Sequence, residues 1–218
     1  MNNNKLFFNK KKILITGVAG FKGSWLALIL LNFKATIYGV DKKITKKSLF
    51  NLLRLEKKIY FKKLDLNNKN LKIYIKKIKP DIIYHFAANS LVLDSYKAPL
   101  QTIKNNIFST SHLLDCIRKI YQNKKIILII STSDKVYKPS KKYLKENDTL
   151  GGKDIYSVSK ACKELISYSF YESFFKNKSN ITIATVRAGN VIGPGDYSKN
   201  RIVPDLVNFL TKNNNIVL

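Results

Sequence analysis

The run Lys12-Ile13-Leu14-Ile15-Thr16 stops at Gly17, and Gly17-Val18-Ala19-Gly20-Phe21-Lys22-Gly23 then leads into a densely apolar stretch over 24–33. A short apolar run without alternation is the pattern of a strand buried on both faces. The stretch after the glycines reads as a buried helix. The rest of the chain repeats this order. A second strand over 35–40 ends at Asp41, and a third precedes Asp65-Leu66. Leu71, Tyr74, Ile75 and Ile78 fall at i, i+3, i+4 and i+7, an amphipathic helix closed by Pro80. Residues 81–87 form the next strand. A helical stretch follows at about 100–121, with Ile107, Leu114 and Ile117 facing inward. The most apolar strand lies at 125–131, a helix at 156–175 and a last strand at 181–188, while 5–12 is a polar, basic lead-in. Strands alternating with helices predict an α/β fold, a doubly wound parallel sheet with helices on both faces.

Composition matters for what the chain binds. The formal charge is +26, yet only Arg54, Arg118, Arg187 and Arg201 among the 40 basic residues are arginine. Lys, Asn and Ile share A/T-rich codons, so a biased genome explains their heavy use. Arginine, the preferred residue for bidentate recognition of bases and phosphates, is scarce, and the lysines are scattered rather than clustered. The expectation is no nucleic-acid partner. No apolar run reaches the ~18 residues of a membrane span. Met1-Asn2-Asn3-Asn4 lacks the apolar core of a signal peptide, which makes the cytoplasm the expected location. Cys116 and Cys162 make neither a disulfide framework nor a zinc cluster, and both read as buried thiols in helices. His85, in a strand, and His112, on a helix, have no metal-ligand partner at a useful spacing.

The GxxGxxG spacing sits between a strand and a helix, the context of a dinucleotide site. Glycines allow a tight turn and let a pyrophosphate approach the helix N-terminus, where free N–H groups and the dipole favour an anion. The same spacing occurs in plain strand-to-helix turns. Asp41 at the end of the second strand strengthens the dinucleotide reading, because a carboxylate there accepts hydrogen bonds from an adenosine ribose and favours NAD over NADP. Asp65-Leu66 is a further candidate, for the adenine.

Tyr156 and Lys160 stand four apart and share one face of a helix. An ammonium beside a phenol lowers its pKa, and such a tyrosine takes a proton from a sugar or alcohol hydroxyl while hydride leaves for a nicotinamide. The YxxxK pattern alone is common on surface helices. Its partner is Ser131-Thr132-Ser133-Asp134-Lys135-Val136-Tyr137, directly after the buried strand at 125–131. In an open α/β sheet that strand end is where ligands bind. An N-cap cluster would explain Ser133 or Asp134, but not the whole set.

Together these segments resemble the extended short-chain dehydrogenase/reductase family, and within it the nucleotide-sugar 4,6-dehydratases. The resemblance is carried by Gly20-Phe21-Lys22-Gly23-Ser24-Trp25-Leu26, Ser48-Leu49-Phe50, Pro80-Asp81, His85-Phe86-Ala87-Ala88, Thr132-Ser133-Asp134-Lys135, Leu150-Gly151-Gly152, Tyr156 to Lys160, and Arg187-Ala188-Gly189-Asn190-Val191-Ile192-Gly193. It implies a Rossmann-type NAD domain over 10–188 and only the beginning of a smaller substrate domain over 189–218. It implies cofactor contacts at Gly17, Gly20, Phe21, Lys22, Gly23, Asp41, Asp65, Leu66, Ala87 and Ala88. Tyr156 matches the family base. Lys160 matches its partner, which also holds the nicotinamide ribose. Ser133 matches the hydroxyl that binds the sugar 4-OH, and Asp134 the acid that protonates the departing 6-hydroxyl. Lys135 stands where the dTDP-glucose and GDP-mannose dehydratases carry a glutamate, which points to the CDP-glucose branch. The acidic residue at 41 departs from the less polar stretch expected in that branch. Asn190 and Arg201 match positions on the substrate's nucleotide side.

The implied activity is the conversion of CDP-glucose to CDP-4-keto-6-deoxyglucose, in a bacterial pathway making deoxysugars for surface polysaccharide. Epimerases of the same family share the glycine turn and the Tyr-Lys pair but need no acid to expel water. Family members also continue beyond Leu218, so a cofactor domain without catalysis is a competing expectation. A homodimer through helices near 100–121 and 156–175 is implied as well.

Overall fold

The computed structural model describes residues 2–121, 123–178 and 180–211. Residues 212–218, part of the expected second domain, lie outside the described residues. Six strands, β1 (Lys12–Thr16), β2 (Thr36–Asp41), β3 (Tyr60–Lys63), β4 (Ile82–His85), β5 (Ile126–Ser131) and β6 (Ile181–Val186), form one sheet in the order β3-β2-β1-β4-β5-β6. Every pairing is parallel. The winding reverses between β1 and β4, which opens a crevice at the C-terminal ends of the two strands. This is the Rossmann-like α/β fold expected from the alternation.

The helices are α1 (Asn2–Phe8), α2 (Phe21–Asn32), α3 (Leu49–Leu52), α4 (Asn70–Ile78), α5 (Val92–Lys97), α6 (Pro99–Ile103), α7 (Ser109–Ile120), α8 (Ile155–Phe170) and α9 (Ile202–Thr211). Strand β1 shows why they cover both faces. Leu14 packs with Leu71, Ile75, Leu114 and Ile117, while Ile13 and Ile15 pack with Ala27, Leu30 and Phe50 on the other side. Side chains alternate along a strand, so an unbroken apolar run supplies both cores. Each such side chain fully removed from water contributes about 1.5–3 kcal/mol.

Four departures from the sequence reading stand out, the first being that the helix expected to run on to 175 ends as an α-helix at Phe170 and continues as a π-helical turn over Tyr171–Phe175. Part of the lead-in is helix α1, anchored where Phe8 stacks on Phe33 with ring centroids 5.9 Å apart. The stretch expected as one helix at 100–121 is α6 and α7 joined by a π-helical turn over Lys104–Phe108. That turn rotates the inward face: Leu114 and Ile117 are buried as expected, but Ile107 is only half-buried and Asn105 and Asn106 are buried. Cys116 is buried, whereas Cys162 is only half-buried. The sheet is also uneven. Ile13, Leu14 and Ile15 are inaccessible, while Ala184, Thr185 and Val186 at the end of β6 are exposed.

Candidate active site

The turn after β1 is made of backbone packed against backbone. Gly17 has φ +72°, and a Cβ there would lie 2.6 Å from the Ala87 nitrogen. A Cβ on Gly23 would run into the Gly17 carbonyl oxygen. Gly20 is the N-cap of α2 with no side-chain bond to the helix N-terminus. The turn therefore holds the start of α2 directly over the end of β4 and leaves that N-terminus open. Glycines are demanded here by contact as well as by dihedral angle. Asp41 reaches the same turn from β2, accepting hydrogen bonds from the Ala19 N–H at 3.2 Å and the Lys42 N–H at 2.8 Å. Burial raises its pKa, and the N–H groups of Ala19, Lys42 and Lys43 oppose that rise.

A cavity of about 250 Å³ opens above this turn, and its lining includes Gly17, Gly20, Phe21, Lys22, Gly23, Asp41, Asp65, Leu66, Ala87 and Ala88. These are the ten residues expected on the cofactor apart from the Tyr-Lys pair. Asn67, Asn89, Ser90, Asn105, Ser109, Ser198 and Arg201 line it too. The residues present fit a dinucleotide: glycine positions that any side chain would fill, an open helix N-terminus, and a carboxylate at the end of the second strand.

A second cavity of about 250 Å³ adjoins the first and shares Lys22, Phe86, Ala88, Ser90 and Arg201 with it. Ser133, Asp134, Lys135, Tyr156, Lys160, Asn190 and Arg201 all line this second space. They come from the end of β5, from α8 and from the segment after β6. Ser133 caps the short helical turn that follows β5, accepting from the Lys135 N–H at 3.3 Å and donating to Asp134 Oδ1 at 2.9 Å. Asp154 caps α8, taking the Ser157 N–H at 2.9 Å, so that Tyr156 stands in the first turn and faces the cavity. Tyr156, Lys160 and Ser133 are buried, while Asp134, Lys135 and Asn190 are exposed.

The electrostatics correct one expectation. Burial raises the Tyr156 phenol above its usual value; a hydrogen bond with Ser133 and the charge of Arg201 oppose this, and Asp134 and Asp154 add to it. Lys160, with its Nζ 5.7 Å from the ring centroid, does not outweigh that burial. Burial, with help from Lys22, brings Lys160 itself down to about 7, so its ammonium is only partly populated at neutral pH. Beside it, Lys163 is fully buried, has no hydrogen-bond partner among the described residues, and is driven well below its usual value by burial and by Lys160 and Lys22.

Other residues organise the site without appearing in the sequence reading as site residues. Asn106, in the π-helical turn, donates to Ser159 Oγ at 2.8 Å and accepts from the Asn89 N–H at 2.7 Å. Glu164 receives the Thr132 hydroxyl at 2.6 Å and the Arg187 guanidinium, whose Nη2 lies 2.6 Å from Oε2. That pair ties the end of β5 to α8 and β6. The signal for Glu164 was its place four residues after Lys160, on the same helix face. The segment 189–201, assigned to a second domain, folds back over the cofactor side: the Trp25 indole N–H donates to the Pro194 carbonyl at 3.1 Å, and Lys47 lies over the Tyr197 ring at 4.9 Å.

Comparison with known proteins adds to this geometry. The GDP-mannose 4,6-dehydratase family profile matches residues 14–215. The chain is 37% identical over 224 residues to the CDP-glucose 4,6-dehydratase of Salmonella typhimurium, covering 98% of this chain and 61% of that protein. It is 33% identical over 230 residues to the dTDP-D-glucose 4,6-dehydratase of Dictyostelium discoideum, covering 97% of this chain and 50% of that one. Among solved structures, the UDP-glucuronic acid 4-epimerase of Bacillus cereus in complex with UDP-glucuronic acid and NAD superposes with a TM-score of 0.79 at 26% identity, covering 93% of this chain and 64% of that one. The chain thus spans about three-fifths of the length of the Salmonella protein and half of the Dictyostelium one.

Proposed function

The chain belongs to the NAD-dependent nucleotide-sugar dehydratase and epimerase family described by the GDP-mannose 4,6-dehydratase profile, and from that premise we propose that it acts as a CDP-glucose 4,6-dehydratase. The substrate is CDP-glucose and the product CDP-4-keto-6-deoxyglucose. The observation that carries the reading is Ser133-Asp134-Lys135 at the mouth of the cavity holding Tyr156 and Lys160. An acid and a lysine side by side there suit a dehydration. An epimerase has no water to expel and needs no acid for that step.

In this reading Gly17, Gly20 and Gly23 at the start of α2 hold the dinucleotide pyrophosphate, Asp41 the adenosine ribose, Asp65 and Leu66 the adenine, and Lys160 the nicotinamide ribose. Bound NAD would supply a reversible hydride acceptor, so that a dehydration through a transient C4 ketone would need no other oxidant or reductant. Tyr156 takes the proton of the sugar 4-hydroxyl, and Ser133 orients that hydroxyl. The charge of Arg201 favours the phenolate against burial, and Ser133 adds to it when its hydroxyl hydrogen turns from Asp134 to the phenol oxygen. Lys135 serves C5, removing its proton when neutral or stabilising the enolate when charged. Asp134 gives a proton to the hydroxyl leaving C6. Asn190 and Arg201 hold the nucleotide side of the substrate.

We assign the working assembly as a homodimer. Leu100, Phe108, Leu165 and Tyr168 stand exposed on adjoining helices, an apolar face suited to a second copy.

The test is mass spectrometry of the 218-residue chain with NAD and a panel of CDP-, dTDP-, UDP- and GDP-sugars. The expected result is loss of one water from CDP-glucose alone. Loss of water from another nucleotide sugar moves the substrate. A product of unchanged mass but different chromatographic retention makes the chain an epimerase. NAD binding without any conversion makes it a cofactor module.

A further inference from the structure

His85 lies inside the molecule between the two cavities' supports, and its hydrogen bonds have a forced direction. Thr110, on α7, gives its single hydroxyl hydrogen to the Asn106 carbonyl at 2.7 Å. Its oxygen therefore accepts from His85 Nε2 at 2.9 Å, and Nε2 must carry hydrogen. A neutral imidazole has one N–H, so Nδ1 is bare and accepts the Thr16 hydroxyl at 2.7 Å. The Thr16 oxygen accepts in turn from the Ala87 N–H at 3.3 Å. Complete burial, with Lys163 and Lys160 nearby, drives the imidazole pKa well below its ordinary value and keeps the ring neutral. The tautomer follows from the network around it, and each hydroxyl is used once as donor.

The two ends of this chain of bonds are the two halves of the site. At one end, Thr16 precedes Gly17, and Ala87 is the residue against which Gly17 packs. At the other, the Asn106 side chain donates to Ser159 Oγ at 2.8 Å, and Ser159 donates to the Tyr156 carbonyl at 2.7 Å. We propose that His85 is a positioning residue for the reaction read above: as the Nε2–H tautomer held between Thr16 and Thr110, it sets the spacing between the glycine turn and the helix carrying Tyr156 and Lys160. The role rests on that catalytic reading; the tautomer does not.

Two measurements on the 218-residue chain test it. The first is the pattern of imidazole nitrogens in long-range proton–nitrogen spectra. The chain has two histidines, and they should differ. His112 Nδ1 lies 2.6 Å from the Leu66 carbonyl and must donate, whereas His85 should show a neutral Nε2–H ring. His112→Gln assigns the signals. A neutral Nδ1–H ring or an imidazolium at His85 overturns the proposal. The second is Thr110→Val, which keeps the shape and removes the acceptor, beside Thr110→Ser, which keeps the hydroxyl. Thr110→Val should lower kcat about ten- to a hundredfold, with KM for the nucleotide sugar held within about threefold, as expected for misplaced reacting groups. Thr110→Ser should restore it. An active parent with unchanged kcat in Thr110→Val overturns the role of His85 alone. An inert parent that binds NAD overturns the catalytic reading, and the positioning role with it.

Discussion

The two adjoining cavities are walled by different material. Around the glycine turn the wall is backbone: Gly17 against Ala87, Gly23 against the Gly17 carbonyl, Asp41 held by the Ala19 and Lys42 N–H groups. At the end of β5 it is side chains from separate elements, joined by Thr132 to Glu164, Arg187 to Glu164, and Asn106 to Ser159. A backbone wall is encoded in one stretch of chain and tolerates no added atom. A side-chain wall is assembled from distant residues and can lose one group while keeping its shape. The two regions should therefore fail in opposite ways when mutated.

The largest expected effect lies in the side-chain wall. Tyr156→Phe removes one oxygen from a buried ring whose packing is otherwise unchanged. Turnover should fall about 10³-fold or more, the scale of a lost general base. The melting temperature and the affinity for NAD measured by calorimetry should stay close to the parent's. Full activity in this variant would remove Tyr156 from its proposed role.

The backbone wall should break the other way. In Gly17→Ala the new methyl meets the Ala87 nitrogen at 2.6 Å and its Cα at 2.8 Å, with φ at +72°. Neither neighbour is a flexible side chain. Stability should drop by about 2–4 kcal/mol in denaturant titration, and NAD affinity at least about tenfold, because the turn and the end of β4 must part. Parent-like NAD affinity in a folded Gly17→Ala would show that the turn is slack and the comparison false.

The same division explains what was legible in the sequence. The strands, the glycine turn and the candidate residues Ser133, Asp134, Tyr156 and Lys160 could be read off because each lies within a few residues of the pattern that marks it. Asn106 could not. It is buried only because the π-helical turn over Lys104–Phe108 shifts the helix face, and an ideal period points to Ile107 instead. Glu164 and Arg187 lie 23 residues apart, and nothing local pairs them. The raised Tyr156 phenol was also out of reach, since spacing reports the lysine four residues on but not the burial that outweighs it. Lys163 was hidden for the opposite reason. In a chain with 40 basic residues, one more lysine on a helix reads as solvated surface.

Lys163 yields the smallest of these effects and the one that separates stability from chemistry. Its amine is inaccessible and has no hydrogen-bond partner among the described residues. With its pKa pushed well down in the folded state, the unfolded chain binds more protons between the lowered value and the ordinary lysine range. Stability then rises with pH across that interval. Lys160 adds the same sign between about 7 and the lysine reference of 10.5. Lys163→Met keeps the volume and removes the amine. At pH 7 it should stabilise the fold by about 1–3 kcal/mol, since an apolar group replaces a buried polar one with nothing to bond. Raising the pH towards the lysine range should shrink that gain, because less and less protonation of the unfolded lysine is then lost on folding. The slope left in the variant is the sum of the other shifted groups, with Lys160 and Lys22 raising stability as pH rises and the buried phenols and the Cys116 thiol lowering it. Equilibrium unfolding of both proteins at pH 7, 8.5 and 10 measures this directly. A destabilised Lys163→Met at every pH would mean that the amine has a bonding partner in the folded protein, and that the side-chain wall extends one residue deeper along α8.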